Sequence, residues 1–200
     1  MFKFGRKIDR KIEQIAKKLS ENSKVLDLGC GNGAIGIFLS TREFAVTCVD
    51  QDMEALKGIK ENHPDINVVS KNILDFSFPQ EEYNLVLILN VLHFLKFKEA
   101  VKVIKKSMES LKHGGFLYLK VFSTRDPSYH KFATFHSKTE EKNTFYSNKL
   151  KKFMHFFTED ELYEILKKHK ILKMTDELVW DNHPPYGAHK HGILTVLVEK

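Results

Sequence analysis

VLDLGCGNG, residues 25–33, runs an apolar strand through a single acid, Asp27, into a turn with glycines at positions 29, 31 and 33. The turn opens AIGIFLS (34–40), the start of a helix. Glycines so spaced let the backbone curl tightly and come close to a bound cofactor. GCGNGA also satisfies the dinucleotide spacing GxGxxG/A through Gly29, Gly31 and Ala34. Asp50 closes the next strand, FAVTCVD (44–50), 21 residues after Gly29, where a carboxylate grips ribose hydroxyls. These features admit two classes of nucleotide cofactor, and Asp27 chooses between them. A pyrophosphate gains nothing from a neighbouring carboxylate, whereas a cationic group is attracted. At a few ångströms and reduced dielectric the difference is on the order of 1–4 kcal/mol. The turn therefore reads as a cradle for a cation, with capping of the following helix as the plainer role for Asp27.

Outward from the turn, strands and helices alternate. A helix over about 6–20, with Ile8, Ile12, Ile15, Ala16 and Leu19 at helical spacing, precedes the strand KVLDL (24–28). DMEALKGIKEN (52–62) follows as a helix and INVVS as a strand. The continuous apolar run in YNLVLILNVL (83–92) marks a central strand covered on both faces. FKEAVKVIKKSMESL (97–111) is an amphipathic helix, closed by the glycines of HGG (113–115), and FLYLKVF (116–122) is a fifth strand. Near the end, FTEDELYEILKKHK (157–170) carries a capping box through Thr158 and Glu161. ILKMTDELVW (171–180) and HGILTVLVEK (191–200) are strands whose bridge is too short for a crossover helix, so they pair antiparallel. The pattern predicts an α/β, Rossmann-like fold: a seven-stranded, mostly parallel sheet with helices on both faces and an antiparallel C-terminal pair. One domain over 1–200 is expected. Residues 123–157, rich in aromatics, His and Lys without a clear period, are too long for an ordinary connection. They read as either a substrate lid or a poorly ordered insertion.

Composition bounds the function. The chain has 200 residues, 42% of them hydrophobic, enough for one sizeable core. No stretch approaches the roughly 18 apolar residues of a membrane span, and the charged N-terminus lacks the apolar core of a secretory signal. Cys30 and Cys48 form neither a CxxC pair nor a disulfide framework, which points to a reduced, cytoplasmic setting. The net charge of +6 comes mostly from lysines beside acids on helical segments, as on a solvated face. Only SKTEEKNTFYSNKLKKFMH (137–155), basic and aromatic, leaves a nucleic-acid partner open.

DLGCGNG followed by VTCVDQDM resembles the first two motifs of class I S-adenosylmethionine-dependent methyltransferases. NVVSKNILDFSFPQEEYNLVLILNVLHFL resembles the third and fourth, and LKHGGFLYLK the motif of the fifth strand. Small size and spacing are most similar to the compact small-molecule branch that includes tellurite-resistance-type methyltransferases. The cofactor's sulfonium and ammonium are the cations a carboxylate at 27 would favour. The resemblance implies that Asp27, Gly29, Cys30, Gly31 and Gly33 surround the methionine portion and that Asp50 accepts both ribose hydroxyls. It places Gln51 and Met53 at the adenine, with ordinary core packing as the other reading of Met53. Asn72 would stand beside the adenine amino group where the family often has Asp, or serve only as a turn residue. Ile73 would offer its backbone N–H to the ring, and Asn90, ending the fourth strand, would meet both the cofactor ammonium and the acceptor. His113 replaces the usual proline before the paired glycines.

The implied activity is methyl transfer to a small-molecule acceptor, in a monomer or homodimer. The alternative is a methyltransferase fold that acts on or regulates RNA or a protein. His93, three residues after Asn90, is the candidate general base; simple packing is the competing reading. No NPPY-like signature of amide methylation stands at this position. Tyr129 and His130 in the lid, with Asp181, Tyr186 and His189 in DNHPPYGAHKH, are candidate acceptor contacts. His183, His189 and His191 also raise a metal site, but no Cys joins them. A strand at this position is expected to turn His189 and His191 to opposite faces, so no metal is assigned.

Overall fold

The structure is a computed structural model and describes residues 10–148, 150–183 and 187–200, His183 by its backbone alone. It begins with α1 (Arg10–Ala16) and β1 (Lys24–Leu28). α2 (Ala34–Ser40), β2 (Ala45–Asp50), α3 (Met53–Asn62) and β3 (Asn67–Ser70) follow. β4 (Tyr83–Leu89) leads through a 3-10 turn (Leu92–Phe94) to α4 (Phe97–Ser110) and β5 (Leu111–Phe122). After an intervening segment come α6 (Glu159–Leu166), β9 (Lys170–His183) and β10 (Gly187–Glu199). Among the described residues these strands form one seven-stranded sheet in the order β3-β2-β1-β4-β5-β10-β9. β1 to β5 are parallel, while β10 runs antiparallel to both β5 and β9.

Strand alternation divides the core in two. Val25, Leu85, Leu87 and Tyr118 point to one face, where they pack with Ile12 and Ile15 of α1, Leu39 of α2 and Ile59 of α3. Leu26, Leu28, Val86 and Ile88 point to the other, against Val103 and Ile104 of α4 and Leu162 of α6. With both faces covered, β4 has no polar side to present from Leu85 on, which is why its sequence there reads as an unbroken apolar run. Helix starts follow their cap residues. Asp52 Oδ1 accepts from the N–H groups of Glu54 and Ala55. Thr158 and Glu161 form the capping box at α6. The N-terminal helix expected over about 6–20 is described from Arg10 and ends at Ala16. No helix among the described residues is long and apolar enough to cross a membrane.

The structure corrects the sequence reading in three places. HGG does not close α4, which ends at Ser110. It lies in the irregular first part of β5, where the ladder slips from Tyr83↔Leu111 to Leu85↔Phe116 and Gly114 has φ 75°. The bridge DNHPPYGAHK between the last two strands is itself largely strand. β9 and β10 extend their ladder out to His183↔Gly187, leaving Pro184, Pro185 and Tyr186 outside the described residues. Residues 123–157 are not without secondary structure: their described residues build α5 (Tyr129–Phe135) and a small antiparallel sheet of β6 (Ser137–Lys138), β7 (Thr144–Ser147) and β8 (Lys152–His155). Phe132, Phe145 and Phe156 form a separate core with Met154, and β8 packs against the 3-10 turn after β4.

Candidate functional site

The carboxyl ends of β1, β2 and β4 converge where an open α/β sheet binds its ligands. Gly29 leaves β1 at φ 69° and donates to Val49 O at 2.7 Å. A Cβ there would lie 2.2 Å from Val91 Cγ2, so the turn is seated against the residue that follows Asn90. Gly31, at φ 55°, is the opposite case: a Cβ would meet nothing within 4 Å, so the outer rim of the turn faces open space. Its N–H donates to Asp50 Oδ2 at 2.8 Å, while Asp50 Oδ1 accepts from Asp52 N at 2.9 Å. Asp50 thus ties the glycine turn to the start of α3, and each of its oxygens keeps a further lone pair. Gly33 caps α2 in the left-handed region.

Asp27 lies beneath this turn, 3% exposed. Burial first, then the charge of Asp50, pushes its carboxyl up from 3.8 to about 7; a hydrogen bond from Gly36 N–H opposes them. Because Gly36 is the third residue of α2, that bond is the helix-start contact weighed as the plainer role. It leaves the rise in pKa uncompensated. Cys30 Sγ donates to Gly31 O, and the thiol of Cys48 beside it, with burial, holds Cys30 protonated.

On the adenine side, Asn72 Nδ2 donates to Gln51 Oε1 at 3.1 Å and Asn72 Oδ1 accepts from Leu74 N at 2.9 Å. Asn72 is therefore a turn residue, and it is also joined to Gln51. Met53 is 71% exposed at the start of α3, which rules out the core reading and leaves an apolar side chain standing in solvent. Ile73 is buried. Asn90 follows directly on β4, exposed and left-handed at φ 59°, its N–H bonded to Lys120 O.

His93 sits in the 3-10 turn, 1% exposed and stacked on Phe122 with ring centroids 3.9 Å apart. Burial, then the charge of His191, lowers it to about 3, and its Nδ1 has no hydrogen-bond partner among the described residues. These surroundings suit packing better than proton transfer.

The expected acceptor contacts do not come together in one place. The Tyr129 hydroxyl donates to Asn143 Oδ1, and its ring meets Phe145 and Phe156 within the small aromatic core. His130 is exposed on α5. Asp181 and His189 are cross-strand partners, and Tyr186 lies outside the described residues. His189 and His191 do not face opposite ways. Residues two apart in a strand share a face, and their Nε2 atoms approach to 2.9 Å. Beside them is a residue that sequence reasoning missed. Asp126, buried, joins His191 Nδ1 at 2.8 Å and accepts from Gly192 N and Ser128 N. The only signal for it was an Asp-Pro pair after a strand, the mark of a turn.

The fold is that of class I S-adenosylmethionine-dependent methyltransferases, and the glycine turn stands where the motifs placed it. The profile of the family described as "Methyltransferase domain" matches residues 25–115. The protein named Probable S-adenosyl-L-methionine-dependent methyltransferase TehB, from Haemophilus influenzae, is 30% identical over 115 residues, covering 56% of this chain and 40% of its own length. The chain thus spans less than half the length of this curated relative. The crystal structure of TehB from the same organism superposes with TM-score 0.76 at 22% identity, over 99% of this chain and 64% of that one. A methyltransferase structure from Methanosarcina mazei gives 0.74 at 22% identity, over 94% and 96%. The 1,6-didemethyltoxoflavin-N1-methyltransferase of Burkholderia thailandensis, solved with bound 1,6-didemethyltoxoflavin and S-adenosylhomocysteine, gives 0.66 at 16% identity, over 96% and 76%.

Proposed function

We propose that this chain is an S-adenosylmethionine-dependent methyltransferase acting on a small-molecule acceptor. One observation carries the reading: a buried carboxyl raised to about 7, close to a second acid, beneath a glycine turn whose rim is open. Such a site is short of positive charge, and the residues present fit a cofactor bearing a sulfonium and an ammonium. When bound, the cofactor supplies an activated methyl group for in-line displacement at carbon. Asp27 provides the countercharge for its cationic end, with the backbone at Asn90 beside it. Asp50 receives ribose hydroxyls on lone pairs left over from Gly31 and Asp52. Met53, Gln51, Asn72 and Ile73 border the base. The chain's remaining task is to align the acceptor and exclude water, and the aromatic sub-sheet against the 3-10 turn is placed to serve as a lid.

A small acceptor is supported by the bound substrate of the Burkholderia relative and by the likeness to TehB. Action on RNA or a protein partner is not favoured by any of these observations. The test is calorimetric titration with S-adenosylmethionine, S-adenosylhomocysteine and NADH, followed by labelled methyl transfer to a panel of thiol, hydroxyl, amine and metalloid acceptors. Binding of the first two ligands but not NADH, with turnover on a small acceptor, is expected. Failure of S-adenosylhomocysteine to bind would remove the assignment.

A further inference from the structure

The end of the β9–β10 hairpin gathers four side chains that the proposed methyl transfer does not use. Cross-strand pairing sets His189 opposite Asp181, and His191 shares the face of His189. The candidate ligand atoms of Asp181, His189 and His191 lie within 4.8 Å of one another. The outer ring nitrogens are already committed. His189 Nδ1 lies 2.8 Å from Gly187 O, and a carbonyl only accepts, so that nitrogen carries the hydrogen. His191 Nδ1 lies 2.8 Å from Asp126 Oδ2, an oxygen that also accepts from Gly192 N–H, so it too carries the hydrogen. In the neutral rings both Nε2 atoms are then acceptors, yet they face each other at 2.9 Å. Two lone pairs at that distance repel unless a cation stands between them.

We propose that Asp181, His189 and His191 bind one divalent transition-metal ion, zinc foremost, with Asp126 holding His191 from behind. Two imidazoles and a carboxylate are a borderline donor set that suits zinc and its neighbours. A buried carboxylate on the far nitrogen of a ligating histidine is the arrangement that fixes tautomer and ring orientation. Zinc–nitrogen bonds of about 2.0–2.1 Å at a tetrahedral angle hold their nitrogens about 3.3 Å apart, so the two rings need only a small parting. Three protein ligands leave a fourth position for water or an anionic small molecule. The expectation of no metal rested on the lack of a Cys and on opposed histidines; the observed ladder removes the second ground, and two imidazoles with a carboxylate need no thiolate. Phe122 stacks on His191 at 4.5 Å and on His93 at 3.9 Å, so the site stands one aromatic ring from the turn that follows Asn90.

The proposal is tested on the full chain, stripped with chelator and free of cofactor, by titration with zinc chloride. One ion per chain is expected. Affinity should fall by more than about 100-fold in His189→Ala and Asp181→Asn, by about 10- to 100-fold in Asp126→Asn, and not at all in His113→Ala on the exposed far side. Imidazole nitrogen resonances that shift on zinc addition only at His189 and His191 provide a second readout that needs no variant. Absence of stoichiometric binding overturns the proposal and leaves a proton as the shared cation. Binding unchanged in both ligand variants, or spread over other histidines, overturns it equally.

Discussion

The charge of Asp50 reaches Asp27 beneath the glycine turn and adds to burial in holding the Asp27 carboxyl near 7. The same Asp50 anchors Gly31 through its N–H. The residue that shapes the rim thus also adds, after burial, to the proton affinity of the acid below it.

Donor affinity should therefore depend on pH in a defined sense. Cationic ligands favour ionised Asp27, so below about pH 7 binding must first displace a proton. Affinity for S-adenosylmethionine is expected to be level above that value and to fall by up to about tenfold per unit below it. Asp27→Asn should lower affinity by on the order of 10- to 100-fold and flatten the profile. Calorimetry between pH 5.5 and 8.5 checks both, and an unchanged slope in the variant would assign the proton elsewhere.

The same acid predicts a stability effect in the unliganded chain. Its folded pKa lies above the unfolded value of 3.8, so the folded state holds the proton more tightly. The stability this contributes is full below about pH 4 and is lost as pH rises through 7. Asp27→Asn keeps the acceptor for Gly36 N–H without the buried charge. It should therefore raise the melting temperature at pH 8 and leave it near wild type at pH 4. Thermal unfolding at the two pH values decides, and equal shifts at both would contradict the linkage.

Gly29 and Gly31 should respond differently to alanine. Gly29→Ala meets Val91 as well as an unfavourable φ, and an overpacked site of this kind is destabilised by about 1–3 kcal/mol. Gly31→Ala meets no neighbour, so strain of about 1 kcal/mol and a methyl group at the open rim are its only effects. The expected signature is loss of stability in the first and loss of donor affinity with near-normal folding in the second, read by denaturant unfolding and calorimetry.

Phe156→Ala should loosen the aromatic sub-sheet while sparing the glycine turn. Phe156 is fully buried among Phe132, Phe145 and Tyr129, and truncating a core Phe removes about 3–5 kcal/mol. Proteolysis between 123 and 157 should accelerate and methyl-transfer turnover should fall, with donor affinity retained. A parallel loss of donor affinity would show that the two regions are one cooperative unit.

Much of the sheet was legible because its signals are local. The strand at 24–28, the helix at 34–40 and the capping box at 158–161 depend on residues a few positions apart. The glycine turn was legible for the same reason, and Asp50 through its fixed distance from it. The aromatic sub-sheet was not. Its strands have two to four residues, too short for alternation to register, and their partners are set by a core of their own. The His189–His191 contact needed the register of a long hairpin, and Asp126 reaches it across 65 positions of chain. His93 was visible as a histidine at the right edge, but its neutrality comes from burial and from His191 across the sheet, neither of which spacing reveals.

Every side chain proposed to hold the donor precedes β5, whereas the aromatic sub-sheet and the hairpin tip all follow it. On the proposed assignment, this serial separation makes the part after Phe122 an exchangeable cassette that faces the acceptor. Insertions or replacements after Phe122 can alter what is modified while the inherited donor cradle stays intact, so lineages sharing the first half should diverge in chemistry chiefly through the second.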